Sequence, residues 1–414
     1  MKYTKKLPIL IFSILLSVII LANCLFYVKL TEPKDIYLTN FHNLSVTDKI
    51  LLLSENLPST YISAKLTIDN VTHIFIKNIR KYYELENVTY LWKLTNSWVS
   101  KKHIVNPLDE EVGKVFGALK YASIIKADLD GRGTQLKFLL TLQGDQEVIF
   151  KPKWYTKDKI VEGPVYGGKD RHTSEIIAFY LSIILKLPYT PFCVERKLNL
   201  KDEILPVATK RFLDTTVMVK NRTCVYGKCY YCSKKDAICA DQYDTLIGVV
   251  IFNIKANFKV IRSPWMRTYK NGKKAHWELD AGYCRAVKNS VTNSRLLEII
   301  DIAIFDFFIQ NGDRHHYEMM GDKLVLLDNG KGLGNPNRDF VDILAPLYQC
   351  CILRRETWKK LLNLNGRRLS FYLKQMPDVN NFLMQDHLEA IDRRLHIIYA
   401  AVEYCKKEAT MIFV

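Results

Sequence analysis

From Leu296 to Ile309 the chain is apolar around nearly its whole helical circumference, interrupted only by Glu298, Asp301 and Asp306. A helix without a solvated face must sit inside a large core. The chain can build one: 414 residues, 48% of them apolar, exclude wholesale disorder and suffice for a two-lobed domain plus a stem. The helix stops at Gln310-Asn311-Gly312. Asp313-Arg314-His315-His316-Tyr317-Glu318 follows at once, then a short apolar strand from Lys323 to Leu327, then the loop Asp328-Asn329-Gly330-Lys331-Gly332-Leu333-Gly334. A loop, strand and turn of that length can return Asp313 and Asp328 to one cleft.

Upstream, the periodicity predicts strands over Ile124–Asp128, Leu136–Leu142 and Glu147–Phe150, separated by the turns Asp130-Gly131-Arg132-Gly133 and Gly144-Asp145. Thr173 or Ser174 is placed to cap a helix running to about Lys186, with Glu175 in its first turn. Residues 31–107 are mixed and motif-poor, and read as a stem leading into an N-terminal extension. From Val341 to Cys405 the pattern is mostly helical.

Phosphoryl transfer needs a cation on the phosphates, carboxylates on a divalent metal and a carboxylate that takes the acceptor's proton. Lys151 at a strand end, Glu175 on the next helix, Asp313 on a loop after a buried helix and Asp328 at a strand end supply these parts in the order of protein-kinase-like folds. Each is ordinary alone. A strand lysine is usually solvated, a glutamate in a first helical turn is favourable charge, and Asp-Asn-Gly is a common turn. Adjacent His315 and His316 point in different directions and read as scaffolding for the loop. The ordered set of four is specific. There is no Gly-x-Gly-x-x-Gly, only Gly131-Arg-Gly133-Thr-Gln135-Leu-Lys137, and no Walker A pattern. Where ordinary kinases place an asparagine five residues after the catalytic aspartate, this chain has Glu318. The combination predicts an atypical, metal-dependent kinase.

The N-terminus bears on the compartment. Lys2, Lys5 and Lys6 precede an uncharged stretch from Leu7 to Val28, which ends at Lys29. About 20 apolar residues span a bilayer, and positive charge before the stretch keeps the N-terminus cytoplasmic. The apolar region of a cleaved signal peptide is shorter, about 7–15 residues, so an uncleaved type II anchor is the preferred reading. Sequons begin at Asn43, Asn70, Asn87 and Asn221. Of ten cysteines one, Cys24, lies in the anchor; Cys224, Cys229, Cys232 and Cys239 crowd together. In an oxidising lumen they read as disulfides, in cytosol as a zinc site; the anchor favours disulfides. Cys284, Cys350, Cys351 and Cys405 read likewise, and the odd total leaves Cys193 as the free thiol. A net charge of +17 attracts anions without choosing among them. Trp265, Trp277 and Tyr283 could stack on a sugar, although large aromatics more often belong to a core.

Several of these strings together resemble one family, the secretory-pathway kinases related to Golgi casein kinase and four-jointed. They are Gly-Thr-Gln-Leu-Lys (133–137), Phe-Lys-Pro-Lys (150–153), Asp-Arg-His (170–172) with Glu175, Asp-Arg-His-His-Tyr-Glu (313–318) and Leu-Leu-Asp-Asn-Gly (326–330). The resemblance runs from about Ala118 to Cys405. Thr223–Cys232, Val161-Glu-Gly163 downstream of Lys151-Pro-Lys, Trp265-x-Arg-Thr-Tyr269 and Ile343–Ile352 are most similar to the branch that phosphorylates xylose in the glycosaminoglycan linkage region.

The resemblance implies an α+β, atypical two-lobed kinase fold, with a β-rich N-lobe, a helical C-lobe, stabilising disulfides and an N-terminal transmembrane helix. It divides the chain into a cytoplasmic tail (1–6), an anchor (7–28), a stem and extension (29–107) and a lumenal kinase domain (108–414), with lobes at about 118–248 and 254–408. It implies ATP as co-substrate and Mn2+ as the preferred ion, with Mg2+ as a substitute. The acceptor it implies is the 2-hydroxyl of xylose in the linkage oligosaccharide of proteoglycan core proteins. The implied setting is the Golgi membrane, with glycosyltransferases or a second copy of the chain as partners and no nucleic acid. By position, Asp313 becomes the catalytic base, and Glu175 and Asp328 the metal ligands. Gln135, Lys151, Glu175, Glu318, Asp328 and the segment Val250-Ile251-Phe252-Asn253 contact the nucleotide. The implied disulfides are Cys224–Cys239, Cys229–Cys232, Cys284–Cys350 and Cys351–Cys405. The family's Glu-Gly-Ser is Leu246-Ile247-Gly248 here, which weakens the assignment around Val250. A pseudokinase relative replaces the helix glutamate; Glu175 is retained, so activity is expected. The alternatives are a kinase of secreted serines, an inactive scaffold that activates a partner kinase, and a basic lectin.

Overall fold

A computed structural model describes Leu21 and residues 44–61, 69–80, 87–100, 103–187, 189–408 and 410–414. The expected anchor, apart from Leu21, and Asn43 lie outside these residues; among the described residues no helix is long and apolar enough to cross a membrane. The chain forms two compact units, residues 1–52 and 53–414. Helix α1, Val46–Glu55, begins in the first, after Ser45 bonds Asp48. All that follows lies in the second.

The motif-poor region contains folded helices. α2 (Asn70–Ile79) is capped by the Asp69 carboxylate, which accepts from Thr72 N at 3.1 Å. Asn87 caps α3 (Val88–Trp98) in the same way, accepting from Tyr90 N. Both helices pack on α4 (Val112–Tyr121). α3 also braces the N-lobe: Trp92 Nε1 donates to Gln143 O at 2.8 Å, and Gly144, at φ +84, leaves room where a Cβ would come within 2.9 Å of the indole.

The N-lobe sheet is built from β1 (Ile124–Leu129), β2 (Phe138–Leu142), β3 (Gln146–Pro152), β4 (Cys193–Asn199) and, after the hairpin strands β5 (Thr216–Val219), β6 (Arg222–Val225) and β7 (Ile238–Cys239), β8 (Thr245–Phe252). Its order is β1-β2-β3-β8-β4, every neighbour antiparallel. The register places Lys151 opposite Val249 and Phe150 opposite Val250. Helix α5 (His172–Ile184) lies on β4 and β8, buried along almost its whole length.

The start of α5 corrects the expected cap. Arg171 occupies the N-cap without a side-chain cap bond, and His172 is the first helical residue. Thr173 and Ser174 are already inside the helix. The Ser174 hydroxyl is recruited instead by Asn329 O, 2.7 Å away, and Arg171 N donates to Gly330 O at 2.7 Å. Tertiary contacts with the 328–334 loop thus set where this helix begins.

In the C-lobe, α6 (Asn293–Ile309) is capped by Thr292 and buries thirteen of its residues, Leu296 and Ile309 among them. It packs on the long C-terminal helix α7 (Gln385–Lys407). Arg394 of α7, fully buried, donates to Asp339 at 2.8 Å and to Phe308 O at 2.9 Å. A small antiparallel sheet of β9 (Lys259–Arg262), β10 (His316–Met320) and β11 (Lys323–Val325) carries the chain from α6 back to the cleft.

Four disulfides staple the lobes: Cys224–Cys239 across β6 and β7, Cys229–Cys232 in the loop between them, and Cys284–Cys350 and Cys351–Cys405 in the C-lobe. Cys193 is free and buried, and burial pushes its thiol well above the ordinary range. Asn70, Asn87 and Asn221 are exposed.

Candidate active site

The β3 register delivers Lys151 to the cleft side of the sheet, where it is 4% exposed. Its ammonium meets three carboxylates from three parts of the chain: Asp328 Oδ1 at 2.5 Å, Glu175 Oε1 at 2.6 Å and Asp170 Oδ2 at 3.1 Å. A buried ammonium alone would shed its proton readily; the three carboxylates outweigh burial and hold the Lys151 pKa well above the usual value. Conversely, Lys151 holds the Asp328 carboxyl well below the ordinary carboxylate range.

Glu175, 2% exposed, is locked from its other side. Asn329 N donates to both of its oxygens at 3.1 Å, and Asn329 Nδ2 to Oε2 at 3.2 Å. Asn329 Oδ1 in turn accepts from Arg314 Nη2 at 2.7 Å, and the same nitrogen pairs with Asp306 of α6 at 2.7 Å. The chain of contacts therefore runs from the N-lobe lysine through the α5 glutamate to the core helix of the C-lobe. Asp328 adopts φ +54, a left-handed backbone that turns its side chain out of β11 and leaves it about half exposed, at 54%.

Asp313 follows the helix stop made by Gln310, at φ +57. His315 N and Nδ1 both lie 2.8 Å from Asp313 O, and His316 Nε2 is 3.0 Å from Glu318 Oε1, so the two histidines brace the loop. Burial raises the Asp313 carboxyl above its ordinary pKa, opposed by a hydrogen bond from Tyr269 and by the charges of His315 and Lys331, and reinforced by Asp328. Asp313 and Gln135 border one cavity of about 770 Å³, together with Trp154, Tyr269, Tyr231 and the Cys229–Cys232 disulfide. Tyr231 N donates to Thr134 O at 3.2 Å, so the disulfide loop buttresses the glycine turn that carries Gln135.

Lys151, Glu175 and Asp328 thus meet directly. Asp313 stands within electrostatic reach of Asp328 and shares its cavity with Gln135. The other residues expected at the nucleotide lie in β8, just beyond it and in β10. Val250, Ile251 and Phe252 lie inside β8, whose backbone is paired with β3 and β4, and Val250 is fully buried. Asn253, just beyond the ladder, donates from N to Glu147 O and from Nδ2 to Glu147 Oε2, and its carbonyl accepts from Gln146 Nε2 at 3.1 Å. The Glu318 side chain is engaged by His316. None of these five residues borders the cavity, and neither do Lys151, Glu175 and Asp328. Trp265 and Trp277 are core: the first donates to Gln349 Oε1 at 2.8 Å, the second to Met266 O at 3.0 Å, and Tyr283 donates to Pro264 O at 3.0 Å.

Three residues of the site carried no role in the sequence reading. Asp170 stood in the Asp-Arg-His string, Asn329 passed as a turn residue, and Tyr269 belonged to a string noted only for its similarity. Spacing along the chain gives no sign of the contacts they make.

The donor set bears on metal binding. Among the described residues no three His, Cys, Asp or Glu side chains lie close enough to share an ion; Lys151 stands in the middle of Asp170, Glu175 and Asp328. Glu175 and Asp328 offer hard oxygen donors, and a small divalent ion that uses one or two carboxylates takes its other ligands from phosphate and water. The residues fit that mode and do not form an all-protein cage.

Residues 90–412 match the family described as Fam20C: Golgi casein kinase, C-terminal, Fam20. The chain is 44% identical over 333 residues to the human glycosaminoglycan xylosylkinase, covering 77% of this chain and 81% of that protein. Among solved structures, hydra Fam20 with sugar superposes with a TM-score of 0.73 at 39% identity, over 78% of this chain and 97% of the other. The Golgi casein kinase with Mn/ADP bound superposes with a TM-score of 0.72 at 25% identity, over 86% of this chain and 97% of the other. With more than three quarters of its length matched, the chain belongs to the Fam20 family of Golgi casein kinase relatives.

Proposed function

We propose that the protein transfers the γ-phosphoryl group of ATP to the 2-hydroxyl of xylose in the linkage region of proteoglycans. The observation that carries this reading is the meeting of Lys151 with Asp170, Glu175 and Asp328 beside a cavity bordered by Asp313. That is the part list of phosphoryl transfer. Its extension to xylose rests on the 44% identity to the human xylosylkinase.

Lys151 orients the phosphates, and Glu175 fixes Lys151. Gln135, on the glycine turn, covers the nucleotide from the N-lobe. Asp328 and Glu175 would hold a divalent ion, Mn2+ by analogy with the relative solved with Mn/ADP. When bound, such an ion neutralises charge on the phosphate oxygens. Asp313 accepts the proton of the xylose hydroxyl as that oxygen bonds to phosphorus. Its raised pKa suits a base poised above the ordinary aspartate value.

The reading includes a compartment: a type II anchor over residues 7–28 with the catalytic unit in the Golgi lumen. Four disulfides and three exposed sequons support it, since disulfides persist in oxidising compartments.

The test offers the protein, ATP and Mn2+ either a xylose-containing linkage tetrasaccharide or a serine peptide flanked by acidic residues. Phosphate on the xylose 2-oxygen, located by NMR of the product, is expected. Transfer to the peptide alone would replace this reading with that of a protein kinase.

A further inference from the structure

Tyr269 supplies none of the parts that phosphoryl transfer requires, yet its phenol sits on the group that takes the proton. Its hydroxyl donates to Asp313 Oδ1 at 2.7 Å. That is the distance and the partner an acceptor hydroxyl needs at a general base, about 2.6–3.2 Å. No other side-chain hydrogen bond from the described residues reaches this carboxylate; His315 Nδ1 stands 3.8 Å from Oδ1.

The surroundings fix the approach and leave the ring accessible. Arg267 Nη1 is ion-paired with Asp342 at 2.7 Å, and its Nε donates to Gly312 O at 3.3 Å, which pins this strand of chain to the Asp313 loop. Two residues on, Tyr269 takes φ +55, a left-handed conformation rare for a bulky side chain. Its ring is 38% exposed on the cavity wall, with the Tyr166 ring edge-on at 4.8 Å and the His315 ring at 6.2 Å. Arg267, Tyr166 and His315 are its charged or titratable neighbours besides Asp313, while Asp313 faces Tyr269, His315, Lys331 and Asp328.

We infer that Tyr269 is a specificity-determining residue: its hydroxyl holds the acceptor's place on Asp313 and is displaced only by an acceptor that fits the cavity. The inference rests on Asp313 as the base. Its purpose is chemical. Water is a competing nucleophile; its oxygen would bond to the γ-phosphorus, the bond to the ADP oxygen would break, and Asp313 would take the proton, releasing phosphate unproductively. A phenol on Oδ1 denies water that position until the sugar arrives.

The test uses the full chain with Tyr269→Phe, and Tyr269→Leu as a second way to remove the hydroxyl. Without acceptor, ATP hydrolysis should rise by about tenfold, the factor that removing one hydrogen bond to a charged group is worth. With acceptor, KM should fall, because nothing has to be displaced, while kcat stays within about twofold. The hydrogen bond favours ionised Asp313, so its loss should move the acid limb of kcat/KM, which reports the free enzyme, to higher pH. The limb of kcat, which reports the complex, should not move. Hydrolysis no faster than wild type in both variants, or limbs that move together, would show that the phenol remains on the base throughout and would overturn the inference. Asp313→Asn examines the underlying reading separately: undiminished sugar phosphorylation there removes the base assignment itself, whatever the Tyr269 variants do.

Discussion

Lys151 is 4% exposed and touches three carboxylates, whereas Asp313 borders a cavity of about 770 Å³ and receives one neutral hydroxyl. The first region is closed around Lys151, Asp170 and Glu175, with Asp328 half exposed at its edge. Its charges compensate one another, and its contacts run through Asn329 and Arg314 into the core helix of the C-lobe. The second is open, and its walls include aromatic rings, a stapled loop and Gln135. Preorganisation is concentrated around Lys151, and room is left around Asp313. The difference teaches that the two halves of the reaction can fail independently.

The largest effect should come from the open end. Asp313→Ala removes the proposed proton acceptor and should lower kcat by about a thousandfold, measured as ADP release with saturating acceptor. Because Asp313 is not interlocked as Lys151 is, the melting temperature should stay close to that of wild type. A large fall in stability would erase the distinction between the two regions.

Lys151→Met is the converse experiment. It leaves Asp170, Glu175 and Asp328 facing one another without a cation, and breaking a buried ion pair in this way costs about 3–5 kcal/mol. Urea unfolding should show that loss together with loss of turnover. Unaltered stability would mean that the buried cluster is not holding the lobes.

The disulfides offer a smaller contrast. Replacing Cys351 and Cys405 with serine opens a C-lobe staple spanning 54 residues, and should cost about 2–4 kcal/mol in urea unfolding. Replacing Cys229 and Cys232 releases the short loop of Tyr230 and Tyr231, the latter on the cavity shared with Gln135. Loop-closure entropy there is smaller, so the effect should appear as a raised KM of about threefold, with less change in stability.

Acid should separate the regions by sign. The Asp313 pKa is raised in the folded protein, so activity should fail as pH drops through a value above about 3.9, the ordinary aspartate figure. The Asp328 pKa is depressed, so the stability it contributes is complete above about 3.9 and is lost only as pH falls below that value toward its folded pKa. Descending pH should therefore abolish turnover before it melts the fold, as followed by parallel rate and near-UV circular dichroism measurements. Simultaneous loss would contradict the separation.

Much of the closed region was legible in the chain. Lys151, Glu175, Asp313 and Asp328 each stand at the end of an element whose periodicity is plain, and their order alone suggested a shared cleft. The rest depends on contacts that no local pattern encodes. Asp170, nineteen residues after Lys151, meets its ammonium at 3.1 Å, a contact no local spacing predicts. Ser174 has the chemistry of a helix cap but bonds Asn329 O, so α5 starts earlier than propensity suggests. The helices at 70–79 and 88–98 were hidden in a region without motifs because their apolar faces are short and answer to α4 and the N-lobe turn at Gly144. The open region was least legible: the 265–269 and 343–352 strings stood apart as similarities, and only the fold brings Trp265 to Gln349 and Tyr269 to Asp313.

The central claim is that charged side chains from β3, α5 and the loop after β11 act as one nucleotide–metal cleft. Asp328→Asn tests it most directly, since asparagine keeps the shape and tolerates the left-handed backbone at φ +54 that alanine would strain. With ATP, Mn2+ and the linkage tetrasaccharide, the account predicts that transfer falls by about a thousandfold while the protein remains folded. Transfer at the wild-type rate would contradict it.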